Sequence, residues 1–209
     1  MLRSEPFYDF DSQGRLVEHS HEFDIEVNCL VKGNYEVTRE GIERAAEQAI
    51  VGAKAESAGL TEVEDIEDVD AWISHERAFY HSLQVAARNL TLIALMTRLT
   101  HWVGNYASSV PDCKARSLIS KLEFLNKGFV EKPPHPIIFF SQLADLRDSL
   151  VHHDGEPEWV NYKGESRQVS DKYVCGSRAE ISHDDLVKAI DAAIEQVKWY
   201  DDRLKAIHK

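Results

Sequence analysis

One short segment of the sequence combines residue types suited to proton transfer and phosphate binding. The segment "LRDSLVHHDGEP" covers residues 146–157 and places Arg147, His152 and His153 ahead of Asp154 and Gly155. A histidine titrates near neutral pH, so it can both take and give a proton, and an arginine presents a planar fork that matches phosphate oxygens. A purely structural role is the competing interpretation, because arginine and histidine stabilise helix C-termini and Asp-Gly is a common turn.

A metal-dependent phosphohydrolase is a second interpretation of the same segment. His153 and Asp154 form a histidine-aspartate pair, and further ligands could come from His101 or His81 and from Asp184 or Asp191. Imidazoles and carboxylates together bind divalent metals that activate water. Gly155 and Pro157 follow the pair directly, so it falls in a turn rather than on a rigid helix, and this interpretation ranks as a minor alternative.

The segments that must position these residues are mostly helical. Apolar residues recur at helical spacing after Thr38, a possible N-cap, along 70–106, after Pro111 up to Gly128, along 137–152 and from Ser182 to the end. The proline-rich run 132–136 breaks the pattern, and the acidic run 61–70 is typical of a solvated connector. The helix over 70–106 is either one long helix or two helices joined near Gly104.

Short β elements complete the prediction. The alternation of Phe23, Ile25 and Val27 with acidic residues predicts a strand near the front, and "EWVNY" and "KYVCG" predict a hairpin around Lys163 and Gly164. The expected fold is therefore mainly α: a helical bundle of four to five helices with a small N-terminal β element and a β-hairpin before the last helix. We expect an N-terminal extension over 1–69 and a helical domain over 70–209.

The order of these elements and the spacing within the segment resemble the HEPN superfamily. Arg147, a polar residue at 148, three spacers, His152, two spacers and Gly155 match the R-[polar]-x-x-x-H-x-x-G signature. HEPN domains are all-helical and commonly carry this motif at the end of the penultimate main helix, before a hairpin or loop and a closing helix. The resemblance covers roughly residues 70–208, and residues 1–69 have no counterpart in it.

The resemblance implies a metal-independent endoribonuclease that needs no cofactor. His152 would act as general base or acid on the ribose 2′-hydroxyl or the leaving oxygen, and Arg147 would hold the scissile phosphate. Attack by the 2′-hydroxyl would leave a cyclic phosphate and a 5′-hydroxyl, so DNA would be inert. His153 would be auxiliary, with the capacity to substitute for His152. Position 148 is often asparagine in the family, and Asp148 adds a negative charge that would orient His152 or weaken phosphate binding.

A homodimer is expected on two grounds. Five residues correspond to about 140° of rotation on a regular helix, so Arg147 and His152 would point in different directions within one chain. In active HEPN proteins the arginine and histidine of two protomers meet across a two-fold axis, which would assemble a composite site. The same resemblance implies a role in a toxin-antitoxin or antiphage system, with an antitoxin or another protein as partner.

Composition limits the kinds of ligand and location. The 209-residue chain has 36 acidic and 24 basic residues, a net charge of -12, which disfavours broad binding to nucleic acids or anionic membranes and favours a restricted RNA such as a tRNA loop. Three scattered cysteines and the lack of a signal-like apolar run predict a cytoplasmic protein with no membrane segment. A catalytically inactive HEPN-like scaffold that binds a protein or nucleotide is the alternative from a different functional class.

Overall fold

The protein is a bundle of helices with two small β-hairpins, as the sequence predicts for its class. The computed structural model describes residues 19–58, 63–110, 112–161 and 163–207. Its helices are α1 (His19–Ile25), α2 (Gly33–Ser57), α3 (Val63–Ser109), α4 (Leu118–Lys127), α5 (Ile137–His152) and α6 (His183–Ile207), and a π-helical segment, Glu26–Lys32, joins α1 to α2. None of these helices is both long and apolar enough to cross a membrane.

The predicted strand at residues 23–27 is wrong. Phe23 and Val27 are buried with Val31, whereas Ile25 is half exposed, so the buried residues follow a spacing of four and belong to one helical face. Phe23 and Val27 fit both the spacing of a strand and the spacing of a helix. Packing against the other helices favours the helix. The remainder of the predicted N-terminal β element lies in residues 1–18, outside the described residues.

From Val63 onward the acidic run is helical rather than a connector. Helix α3 begins at Val63 and continues without interruption to Ser109, past Gly104. Acidic residues in the first turns of a helix are favoured by the positive end of its dipole, which explains why this run forms the start of α3. The proposed boundary between residues 69 and 70 therefore falls inside this helix.

Helices α4 and α6 have well-defined N-termini. Helix α4 begins at Leu118 rather than at Pro111, because Ser117 and Ser120 bond each other's backbone N–H groups in a capping box. The Ser182 hydroxyl accepts the Asp185 N–H at 3.1 Å and confirms the predicted N-cap of α6. Gly128 caps the end of α4, as predicted.

The β region before α6 contains two hairpins instead of one. Strand β1 (Glu158–Val160) pairs antiparallel with β2 (Ser166–Gln168), with Trp159 opposite Arg167. Strand β3 (Val174–Cys175) pairs with β4 (Arg178–Ala179). The predicted pairing of "EWVNY" with "KYVCG" is therefore wrong, because each run has its own nearer partner.

The hydrophobic core is built by α1, the π-helical segment, the start of α2, the second half of α3, α4, α5, the segment 169–181 and α6. Its largest fully buried side chains include Tyr106, Phe140, Tyr173 and Tyr200. Between Tyr35 and Ala87 no described residue belongs to this core. Residues 36–57 of α2 and 63–86 of α3 thus form a two-helix arm beside the core, which we call the α2–α3 arm.

Candidate active site at the end of helix α5

The C-terminal end of α5 is held by a compact set of backbone bonds. The Ser149 carbonyl accepts the N–H groups of His153 at 3.0 Å and Gly155 at 3.1 Å, and the buried Ser149 hydroxyl donates to the Glu156 carbonyl at 2.7 Å. These bonds satisfy groups that a helix end otherwise leaves without partners. They fix the position of the last helical residue, His152.

The turn after α5 requires a left-handed backbone at two consecutive residues. Asp154 has φ 51° and Gly155 has φ 76°. The Gly155 carbonyl accepts the Ala179 N–H at 2.7 Å, which ties the turn to strand β4. Glycine has no Cβ and therefore adopts such a φ without a steric penalty. The backbone conformation of this turn explains why the motif ends in a glycine.

Helix α5 directs Arg147 and His152 into one groove. Leu143, Leu146 and Ser149 are buried, which leaves Arg147 half-exposed at the core boundary and His152 exposed at the helix end. Both side chains line an open groove of about 780 Å³. Both residues line this groove despite the expected rotation of about 140° between them on the helix.

Three other elements complete the groove. Helix α3 contributes Met96 and Thr100 to it, and the segment just before α4 contributes Arg116 and the N-cap Ser117. The β1–β2 hairpin forms the remaining wall, with Trp159, Val160, Asn161, Lys163, Glu165 and Arg167. The groove is therefore lined by segments far apart in the sequence.

The groove is rich in charged groups of both signs. Arg116, Arg147, Lys163 and Arg167 line it together with Asp145, Asp148 and Glu165. Arg147 Nη1 donates to Asp148 Oδ1 at 2.5 Å, and Arg167 lies 3.5 Å from Glu165. The four cations outnumber the three carboxylates by one, so the groove is less negative than the chain as a whole, whose net charge is -12.

Asp145 is a half-buried carboxyl group in the groove, two residues before Arg147. Burial raises the pKa of Asp145, the nearby Arg167 opposes this effect, and the Asp148 carboxylate raises the pKa further. Its neutral form is therefore favoured more than that of an exposed aspartate. Asp145 is thus a further titratable carboxyl group in the groove that His152 lines.

The second histidine of the pair packs against the hairpin. The His153 ring stacks on the Trp159 indole with centroids 5.2 Å apart and an interplanar angle of 25°. The His152 ring lies 6.4 Å from the His153 ring and remains exposed. This packing gives His153 a structural role in holding β1 against α5, while His152 is the more accessible of the two imidazoles.

The ligands of the metal alternative are not assembled. Within the described residues no group of three or more histidine, cysteine, aspartate or glutamate side chains is placed to share a metal ion. His101 contacts Asn105 on the outside of α3, and His81 lies in a separate depression beside the β3–β4 hairpin. The histidine-aspartate pair at 153 and 154 thus lacks its expected companions in this part of the chain.

Sequence reasoning located Arg147 and His152 but missed the residues around them. Tertiary packing brings four of these residues to the groove: Arg116, Trp159, Lys163 and Arg167. The spacing of residues along the sequence does not predict such contacts. Asp145 carried a usable signal, because it precedes Asp148 by three residues and therefore shares its helical face.

Comparison of the chain with protein-family models, with curated proteins and with solved structures gave no match.

Proposed function

We propose that this protein is a metal-independent endoribonuclease of the HEPN type, which cleaves RNA at the groove formed by Arg147 and His152. The observation that carries the proposal is that both residues of the motif line one groove, in the company of Arg116, Lys163 and Arg167. A proton-transfer group and guanidinium groups can together support phosphodiester cleavage without a metal.

The proposed reaction uses the ribose as the nucleophile. His152 accepts the proton of the 2′-hydroxyl as its oxygen attacks the adjacent phosphorus, and the bond from phosphorus to the 5′-oxygen breaks. The leaving 5′-oxygen gains a proton from an imidazolium, either that of the same His152 or that of a second chain. The products are a 2′,3′-cyclic phosphate and a 5′-hydroxyl, and Arg147 neutralises the charge that develops on the phosphate oxygens.

The groove also suggests how the RNA is held. Arg116 and Arg167 lie on different elements of the groove wall and can bind the phosphates that flank the cut. The exposed position of His152 gives access to a single-stranded or looped segment. Since the groove provides only four basic side chains in a chain of charge -12, we expect a short recognised region such as a tRNA loop rather than a long duplex.

The cellular setting of the proposal comes from the resemblance. It comprises a homodimer with a composite site, a toxin-antitoxin or antiphage role, and an antitoxin or other protein partner. A cytoplasmic location is part of the same proposal and is consistent with three free cysteines, of which Cys29 and Cys175 are exposed.

A catalytically inactive scaffold is the second candidate, and one contact favours it. Asp148 accepts a bond from Arg147, so a carboxylate already engages the guanidinium that would bind phosphate. In that case the groove would bind a protein or nucleotide without cleaving RNA.

The ends of the cleavage products test the proposal. Purified protein is incubated with total tRNA, and the termini are identified by labelling with polynucleotide kinase before and after phosphatase treatment. A substrate oligonucleotide with one 2′-deoxyribose at the mapped cut is compared with its all-ribose control. We expect 5′-hydroxyl and cyclic phosphate ends and no cut at the deoxy position. Products with 5′-phosphate ends, or cleavage of the deoxy substrate, would overturn the proposed chemistry, and the absence of cleavage would favour the scaffold.

A further inference from the structure

The α2–α3 arm exposes apolar side chains that its own chain does not cover. The exposed apolar residues of α3 include Trp72, Phe79, Leu83, Ala86 and Leu90, which we call the outer face of α3. Phe79 is 51% exposed, Leu83 38% and Leu90 67%. Leu83 and the buried Leu92 are nine residues apart, or about 180° around the helix, so Leu83 points away from the core. Ala86 and Leu90 line an open depression beside the β3–β4 hairpin.

The spacing of the outer face is that of a helix-packing seam. Its residues are separated by seven, four, three and four positions, the spacing at which side chains of one helix fit between those of another. Long helices in water depend on burial of such a face for most of their stability. Among the described side chains of the arm, only Ala53 and Ile73 are buried. The two helices of the arm alone therefore do not bury the outer face of α3.

The charges of α3 determine how a second helix can lie on this face. The part from Val63 to Glu76 contains six acidic residues, of which Glu67, Asp68 and Asp70 are exposed, whereas the part from Arg77 to Ser109 contains three arginines and no acidic residue. Parallel pairing of two identical helices would stack acidic ends on each other, and antiparallel pairing separates them. Arg98 already contacts Glu26 of its own chain. Antiparallel pairing is therefore favoured mainly because it keeps the two acidic ends apart.

We propose that the outer face of α3 is a homodimer interface, in which the α3 helices of two copies pack antiparallel about a two-fold axis near Gln84 and Val85. In this register Phe79 meets Leu90 of the second copy, and Leu83 meets Ala86. The acidic start of one α3 then lies beside the region of Arg98 and His101 in the other. The two arms together form a four-helix bundle that buries the face which each chain leaves exposed.

This interface leaves the proposed cleavage chemistry unchanged, but it is an alternative to the composite-site dimer, because its two-fold axis differs from the one that the resemblance implies. The groove contacts α3 at Met96 and Thr100. With a rise of 1.5 Å per residue, an axis near residues 84 and 85 leaves the two grooves roughly 40 Å apart along the helices. Each groove would then act within its own chain, whereas an axis at the motif would bring the two grooves together.

Oligomeric state is the first test. The chain mass is 23.8 kDa, and light scattering of the wild type is expected to give twice this value. Leu83→Glu and Leu90→Glu place carboxylates in the seam and should each raise the dimer dissociation constant by at least a hundredfold. Ile138→Glu, at an exposed apolar position on α5, is the matched control and should remain dimeric. Circular dichroism melting verifies that each variant is folded. A monomeric wild type, or dimeric Leu83→Glu and Leu90→Glu variants, would overturn the proposal.

Spin-label distances decide between the two axes. Cys29, Cys113 and Cys175 are replaced by serine, and single labels are placed at Ser82 and at His101, both of which are exposed. The proposed axis predicts an inter-chain distance along the helix of roughly 10 Å for position 82 and roughly 50 Å for position 101. A shorter distance at 101 than at 82 would show a dimer axis near the groove and would overturn the arm interface. RNA cleavage is measured separately and has no bearing on this outcome.

Discussion

Asp148 controls the electrostatic environment of Arg147. It bonds the guanidinium at 2.5 Å, and both side chains are partly exposed, at 35% for Arg147 and 46% for Asp148. The pair is thus solvent-screened, and an incoming phosphate can compete for the guanidinium. The position differs from the asparagine that is frequent in the HEPN family by a charge alone.

Asp148→Asn is expected to strengthen RNA binding. The substitution keeps the shape of the side chain and removes the negative charge, so KM should fall by about two- to fivefold, in keeping with the small value of an exposed ion pair. KM and kcat are measured by steady-state cleavage, and Asp171→Asn at an exposed position outside the groove is the control. A large loss of kcat would instead indicate that Asp148 orients His152.

Asp145 makes stability depend on pH. Its pKa is raised from the ordinary 3.8, mainly by burial, so between this value and the raised value the folded protein binds more protons than the unfolded chain. The free energy of unfolding therefore falls as pH rises through this window. The Asp145→Asn variant has no ionisable group at position 145. At neutral pH it should therefore be more stable than the wild type, whereas at about pH 3, where the Asp145 carboxyl is protonated, the two proteins should be equally stable.

Urea denaturation at the two pH values measures this difference, and Asp171→Asn again serves as control. An Asp145→Asn variant that is less stable than the wild type at neutral pH would mean that the charged carboxylate makes a favourable contact in the groove.

The elements differ in how well the sequence predicted them. Helices α5 and α6 were predicted well because each has a strong apolar face and a clear stop or start, Asp154-Gly155 and Ser182. The strand prediction for residues 23–27 is wrong because the spacings of a strand and of a helix coincide over five residues. The hairpins were wrong in pairing because strands of two or three residues carry almost no register information.

The turn after α5 permits a prediction at the level of the element. Gly155→Ala places a Cβ on a residue with φ 76° and should lower the free energy of unfolding by about 1–2 kcal/mol. Gly41→Ala is the matched control: this glycine lies inside α2 with no atom within 4 Å of an added Cβ, so the change should stabilise by about 0.5–1 kcal/mol. Chemical denaturation measures both, and equal stability of Gly155→Ala and wild type would contradict the role assigned to the turn.

At the scale of the whole molecule, the groove exists only because distant segments converge. Arg116 precedes α4, Arg147 lies on α5 and Arg167 on β2, and no local pattern connects them. The sequence could supply the motif and the helical order, but the charged walls of the site depend on tertiary packing. The charge of -12 and this cluster of cations together confine the proposed RNA contact to one region of the surface.

The central claim is that Arg147 and His152 cleave RNA together without a metal, and cleavage in EDTA tests it most directly. Wild type, Arg147→Ala, His152→Ala and His153→Ala are purified in parallel and incubated with total RNA in excess EDTA. We predict cleavage by the wild type, a loss of about a hundredfold or more in Arg147→Ala and His152→Ala, and retention of most activity in His153→Ala. Activity that disappears in EDTA, or that is equal in the wild type and both motif variants, would contradict the account.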